Sequence, residues 1–270
     1  MCGLCGIVIG DKARRRASEI DALIDTFTRL LLASEHRGPH ATGVAWVKRD
    51  GTFHVAKEPG PARTFVQSDA YRDWHSGIDR QVSYFMGHTR WPSRGNVRNA
   101  AENHPICAAP VLLTHNGTIL DHRWHFTRLH LRRTTQVDSE LLARIAQHHC
   151  GQKGIDVSAF LETLTSLDGS MSLALVAMTR PDEIILVKGN MPLVIRYHPG
   201  NRVLMYASES RIIDRILQHE AGWGGVALLP GEALVAQTAQ LHASQRWPFT
   251  FQGMKRMVAR QHFTGVNDQK

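Results

Sequence analysis

The sequence predicts an α+β fold in which two sheets are covered by helices, with a topology that spacing alone does not fix. Short apolar runs of strand length are interrupted by helical stretches, which suggests sheets covered by helices. The second half is rich in strands, and Asp50-Gly51 in the first half joins two strand-like runs as a hairpin would. Nothing in the chain resembles a parallel dinucleotide-binding sheet.

Leu4–Ile9 reads as a short buried strand. Ser18 is placed to cap a helix with Asp21 three residues on, and Ile20, Leu23, Ile24, Phe27, Leu30 and Leu31 fall on one face of it. His36–Gly43 reads as a loop, followed by the hairpin strands Val44–Val47 and Phe53–Ala56. Val82–Met86 is the next strand, ending at Gly87-His88-Thr89-Arg90-Trp91, with a polar loop from Ser93 to Pro105. Val111–Thr114 is expected to run into a tight turn at His115-Asn116-Gly117-Thr118. Two helices follow, one starting at Asp138 or Ser139 and one carrying Val157, Phe160, Leu161 and Leu164. Strands are then expected at Ser172–Met178, Glu183–Lys188, Leu193–Arg196 and Val203–Ala207. Ser208 is placed to cap a helix with Ile212, Ile213, Ile216 and Leu217, before strands at Val226–Leu229 and Ala233–Ala236.

With 270 residues, 43% of them hydrophobic and 21% charged, the chain can bury a sizeable core. No apolar run approaches the ~20 residues of a membrane span. No signal-peptide pattern is visible, so a cytoplasmic protein without membrane association is expected. Cys2, Cys5, Cys107 and Cys150 are too few and too scattered for a disulfide framework. Cys2-x-x-Cys5 runs on into a strand and not into a helix, and His148-His149-Cys150 lacks partner spacing, so neither a redox motif, a metal nor a cofactor is expected. The net charge of +8 would suit nucleic acid or another acidic partner. Basic residues are spread out, however, and no nucleic-acid-binding signature is present, so a solvated basic surface is the simpler reading.

Position two carries the chemistry. Loss of Met1 would place a thiol and a free α-amino group on one residue, Cys2. An α-amine with a pKa of about 7.7–8.0 is partly neutral near pH 7 and can take the proton of a thiol with a pKa of roughly 8.5. Nucleophile and base then arrive together, as in N-terminal nucleophile enzymes. Cys5-Gly6-Ile7-Val8 offers a second register, but using it requires removing four residues.

Behind Cys2 stand His36-Arg37-Gly38-Pro39, Gly87-His88-Thr89-Arg90-Trp91, Asn103-His104-Pro105, His115-Asn116-Gly117, Val137-Asp138-Ser139-Glu140, Leu167-Asp168-Gly169 and Gly189-Asn190-Met191-Pro192-Leu193. In this order they resemble the class II glutamine amidotransferases, a branch of the Ntn hydrolases, and most closely the glutaminase domain of glucosamine-6-phosphate synthase. The resemblance runs from Cys2 to about Pro230. It implies a four-layer αββα sandwich of two stacked, mainly antiparallel sheets flanked by helices, with a glutaminase domain over 1–240; the weakly periodic residues 241–270 read as a tail that packs on the body or a partner. It further implies that Cys2 attacks the glutamine side-chain amide while Asn116 and Gly117 donate to the oxyanion. Arg90 would hold the substrate carboxylate and Asp138 its ammonium, with Trp91 closing over the site and Ser93 and His104 contacting substrate. Arg37 would support the N-terminal strand. Arg94 stands where the family often has histidine.

The chain has no room for sugar-isomerase domains and lacks pyrophosphatase and phosphoribosyl-binding motifs. The expectation is therefore a subunit that hydrolyses L-glutamine and supplies ammonia to a separate synthase subunit. The aromatic tail, with Trp247, Phe249, Phe251 and Phe263, is a candidate docking surface. An Ntn amidohydrolase acting on another amide, and a catalytically silent basic interaction or nucleic-acid-binding protein, are the alternatives.

Overall fold

The computed structural model describes residues 1–12, 15–218 and 220–257; Phe263 of the expected tail lies outside the described residues. The chain begins β1 (Gly3–Ile9), α1 (Ala17–Ser34), β2 (Ala41–Lys48), β3 (Phe53–Pro59), α2 (Ala62–Phe65), α3 (Asp69–Ser76) and β4 (Val82–Arg90). It continues through β5 (Ile106–Ala108), β6 (Val111–Leu120), α4 (His122–Arg128), α5 (Ser139–His148), the small hairpin β7 (Cys150–Gly151) and β8 (Gly154–Ile155), and α6 (Val157–Leu164). The last elements are β9 (Asp168–Ala177), β10 (Arg180–Lys188), β11 (Val194–His198), β12 (Val203–Ala207), α7 (Ser210–Ile216), β13 (Gly224–Val226), β14 (Glu232–Gln237) and β15 (Gln245–Pro248).

These strands form a seven-stranded sheet, β13-β11-β12-β1-β4-β2-β3, and a six-stranded sheet, β15-β14-β10-β9-β6-β5. Every neighbouring pair in both sheets is antiparallel. Three apolar layers hold the sandwich. Cys5, Ile7 and Phe85 meet Ile24, Phe27, Leu31, Trp74 and Ile213 from α1, α3 and α7 on one outer face. Leu113, Leu173 and Ile185 meet Leu141, Ile145, Phe160 and Leu164 from α5 and α6 on the other. Val8, Tyr84, Met86, Leu112, Val176 and Leu186 fill the space between the sheets. Fully burying one such side chain contributes about 1.5–3 kcal/mol, so the four layers follow from apolar faces seeking cover. The expected arrangement of two antiparallel sheets between helices is the one observed.

Local details differ from the sequence expectations for identifiable reasons. Helix α1 starts one residue before Ser18, and the Glu19 carboxylate accepts the Arg16 backbone N–H at 2.8 Å in place of a serine cap. Ser208 does not cap α7; its hydroxyl accepts the Leu4 backbone N–H at 2.8 Å and so pins β1. Helices α2 and α3 were not legible, because their buried residues, Ala62, Phe65, Tyr71 and Trp74, are too few for a clear helical period. Strand β4 runs on to Arg90, and β2 begins at Ala41 to pair with it. Strand β15 adds to the edge of the six-stranded sheet, and Phe251 beyond it is fully buried. No helix among the described residues is long and apolar enough to cross a membrane.

Candidate active site

Strand periodicity brings the site together. Side chains alternate between faces along a strand. Val8 of β1, Tyr84 and Met86 of β4, and Leu112 of β6 face the inter-sheet layer. Cys2, Arg90 and Asn116 continue those rows toward one end of the sandwich. Gly3 pairs with Thr89, so Cys2 lies one step further on, opposite Arg90. Cys5 falls on the other face, in the helix-side core, where burial pushes its thiol up to about 12.

A narrow cleft opens at this end, lined by Cys2, Arg90, Trp91, Ser93, His104, Gly117 and Asp138 among the residues singled out by sequence, together with Arg94, His115, Val137 and Ser139. The Trp91 N–H points to the Cys2 sulfur at 3.4 Å. The residue is half-buried, and enclosure of its thiol raises the thiol pKa above its ordinary value. The Trp91 backbone, the chain terminus and Arg90 pull the other way without outweighing that burial. Near neutral pH the sulfur therefore carries its proton and needs a base to become a nucleophile.

Arg90 is buried, and its guanidinium donates to Asn103 Oδ1 at 2.5 Å and to the Arg94 carbonyl. Burial lowers its pKa, while Cys2, Glu102 and Asp138 oppose the shift. Asp138, also buried, accepts the Ile119 N–H at 2.6 Å and makes no cap bond to α5, so its other oxygen is available to a ligand. The neighbouring Glu140 carboxylate gathers the backbone N–H groups and hydroxyls of Thr134 and Thr135, which fixes the approach to Asp138. A cation and an anion thus stand on one cleft wall, complementary to an α-amino acid.

The expected tight turn at 115–118 is instead the middle of β6, paired with β9 throughout. The distortion is confined to Gly117, at φ +144°, where a Cβ would sit 2.0 Å from the Ser170 carbonyl oxygen. Asn116 does not line the cleft, yet both polar atoms of its buried amide lack a hydrogen-bond partner. Such orphaned groups are rare in interiors, and this amide keeps its donor and acceptor capacity unspent.

Three buried imidazoles back the cleft. His115 donates from Nε2 to the Ser170 carbonyl, which leaves Nδ1 to accept the Ser139 hydroxyl. His88 Nε2 donates to the His115 carbonyl, and burial holds its pKa down to about 3. His104 lies 4.0 Å from the His88 ring, has no partner on either nitrogen, and is held well below the ordinary value by burial and then by His88. These rings are neutral at physiological pH. Ser93 is exposed at the cleft rim, and Trp91 is 51% exposed, edge-on to His40.

Arg37 sits outside the cleft lining but grips the nucleophile's backbone, donating from Nε to the Cys2 carbonyl at 2.7 Å and from Nη1 to Glu209. Gly38 beside it is required by close approach, since a Cβ there would lie 2.3 Å from the Arg90 carbonyl carbon. Sequence reasoning missed Glu209 and Lys57. Lys57 Nζ donates to the carbonyls of Asn103 and Pro105 at 2.9 and 3.0 Å, holding the segment that orients Arg90, and burial lowers its pKa to about 8. A lone lysine in a mostly half-buried edge strand gave no signal. Among the described residues no cluster of His, Cys, Asp or Glu is arranged to hold a metal ion.

No protein-family model matches the chain. Among curated proteins, glutamine–fructose-6-phosphate aminotransferase of Neisseria meningitidis serogroup A is 29% identical over 199 residues, covering 72% of this chain and 30% of that protein. The enzymes of the same name from Xanthomonas campestris and Escherichia coli are 29% and 27% identical over 74% and 76% of this chain. The chain therefore spans about a third of the length of these relatives. Among solved structures, the glutamine phosphoribosylpyrophosphate amidotransferase of B. subtilis superposes with a TM-score of 0.65 at 18% identity, covering 92% of this chain and 49% of that one. A second, described as the allosteric regulatory enzyme of purine biosynthesis, gives 0.66 at 17%. At these identities the superpositions establish a shared fold.

Proposed function

We propose, from its kinship with the class II glutamine amidotransferases, that this chain hydrolyses L-glutamine to glutamate and ammonia through Cys2 as an N-terminal nucleophile. One observation carries the reading: a thiol, a buried arginine and a buried aspartate meet in one cleft, beside an amide with no partner of its own.

Met1 is largely exposed, and its removal leaves the Cys2 amine beside the Cys2 thiol. That amine takes the thiol proton, and the sulfur attacks the side-chain amide carbon of glutamine. The tetrahedral oxyanion is met by the Asn116 amide and the Gly117 N–H, donors already in place. The amine, now protonated, gives its proton to the departing ammonia, and water then hydrolyses the thioester to glutamate and restores the thiol. Arg90 pairs with the substrate α-carboxylate and Asp138 with its α-ammonium, which separates glutamine from a plain amide. Ser93 and His104 complete the contacts to substrate, Trp91 covers the cleft, and Arg37 positions Cys2 through its carbonyl. The ammonia passes to the amidating site of a separate synthase partner.

The test is mass spectrometry of the purified chain after treatment with 6-diazo-5-oxo-norleucine, alongside ammonia release from glutamine. A single adduct on Cys2 in a chain lacking Met1, and no turnover in Cys2→Ala, is the expected result. A label on any other residue, or full turnover with Met1 retained, overturns the mechanism.

A further inference from the structure

The proposed chemistry gives no role to the chain's basic charge, part of which is concentrated in one stretch that reaches the cleft at Arg94. From Trp91 to Val137 the sequence holds six arginines, Arg94, Arg98, Arg123, Arg128, Arg132 and Arg133, against two acids, Glu102 and Asp121, and no lysine. Among the described residues none of the six arginines is in an ion pair. Glu102 does not offset them at the surface, because it is buried and its carboxylate takes the N–H groups of Asn96 and Gln136. These two bonds also tie the loop carrying Arg94 and Arg98 to the segment after Arg133.

The arginines sit among exposed apolar groups. Trp124 is 57% exposed, with the Arg128 guanidinium 5.1 Å from its ring centre, and Leu120 is 41% exposed. Arg133 lies over the buried Phe126 ring at 6.0 Å. Arg94 itself lines the cleft. The arginine-rich stretch therefore reaches the cleft rim at Arg94.

We propose that this surface docks an acidic, partly apolar protein face, that of the enzyme consuming the ammonia. The identity of the occupant rests on the glutamine-hydrolysing reading. Arginine with exposed tryptophan and no lysine is the composition of protein interface centres, where lysine is depleted. A nucleic-acid track would instead align cations along a groove with free aromatic faces, whereas Arg128 occupies one face of Trp124. A partner seated here closes over the rim of the cleft and keeps released ammonia from being protonated in bulk water.

The test uses the full chain and two labelled probes, an acidic Glu/Tyr copolymer and an oligothymidylate of about 20 nucleotides. Binding is followed by fluorescence anisotropy in the parent, in Arg123→Glu/Arg128→Glu/Arg132→Glu, and in a control, Arg80→Glu/Lys153→Glu/Arg215→Glu, whose residues are also exposed and unpaired among the described residues. Copolymer binding should weaken about tenfold or more in the α4 variant and far less in the control. Equal loss in the two variants, no copolymer binding by the parent, or tighter oligothymidylate binding through the same arginines would each overturn the proposal. Glutamine turnover is read on the same preparations and should be unchanged in the α4 variant. Turnover without α4-dependent binding removes the docking surface alone; α4-dependent binding without turnover removes the hydrolysis reading.

Discussion

Replacing Asn116 with alanine should slow turnover greatly while leaving stability nearly untouched. Loss of one preorganised oxyanion donor typically costs about 3–4 kcal/mol of transition-state stabilisation, or about 10²–10³ in kcat. The resting structure says what the same change does to folding. Both amide atoms of Asn116 are buried without partners, so alanine breaks no hydrogen bond and removes two unsatisfied groups. The remaining loss is packing around a small side chain, about 1 kcal/mol or less after that relief. For a chain of this size that corresponds to a Tm change of about 2–4 °C. The assay pairs glutamate release, fitted for kcat and KM, with a thermal melt. The expected pattern is a fall in kcat, a KM within a few-fold of the parent and a nearly unchanged Tm. A kcat close to the parent value, or a large drop in Tm, would refute the assignment of that amide to the oxyanion.

Arg90→Gln should raise the KM for glutamine by about ten- to a hundredfold, because a charge-assisted pair contributes about 1.5–3 kcal/mol; unchanged KM would remove Arg90 from the carboxylate contact. Gly117→Ala forces a Cβ into the Ser170 carbonyl at a positive φ and should lower Tm markedly or prevent soluble expression, so a parent-like melt would show that β6 can relax there. Lys57 has a folded pKa of about 8 against an ordinary 10.5, so between these values the native state binds fewer protons than the unfolded chain. Stability against denaturant should therefore gain a contribution that grows as pH rises from about 8 toward 10.5. Lys57→Met should lack that contribution, and identical pH slopes in parent and variant would count against it.

The sequence disclosed most of the fold because strands of period two and one long amphipathic helix mark themselves locally. Residues of α2 and α3 lay hidden because short helices take their stability from tertiary packing, here Trp74 against Phe27 and Phe85, with Tyr71 between Trp74 and Phe65. The nature of the 115–118 segment was equally hidden. Asn-Gly is a common hairpin turn, and only pairing with β9 reveals that the strand passes straight through it. Cys2, Arg90 and Asp138, which line one cleft, stand in motifs, whereas the residues that hold them in place do not. Lys57, Glu209 and Ser170 act through backbone carbonyls or through another side chain, and such contacts leave no pattern in the residue types.

Because its side chains point alternately up and down, β1 acts as a switch set by counting. Cys2 and Cys5 are three positions apart, and this odd spacing sends one sulfur to the cleft and the other to dry interior. Inserting or deleting one residue between Cys5 and Ile7 would exchange those destinations relative to the rest of the strand, and the same change between Gly3 and Cys5 would send both sulfurs to one face, while composition and strand length stay almost unaltered. The opening segment therefore tolerates changes of side chain far better than changes of length, and drift in the gene should accumulate there as replacements and not as gaps.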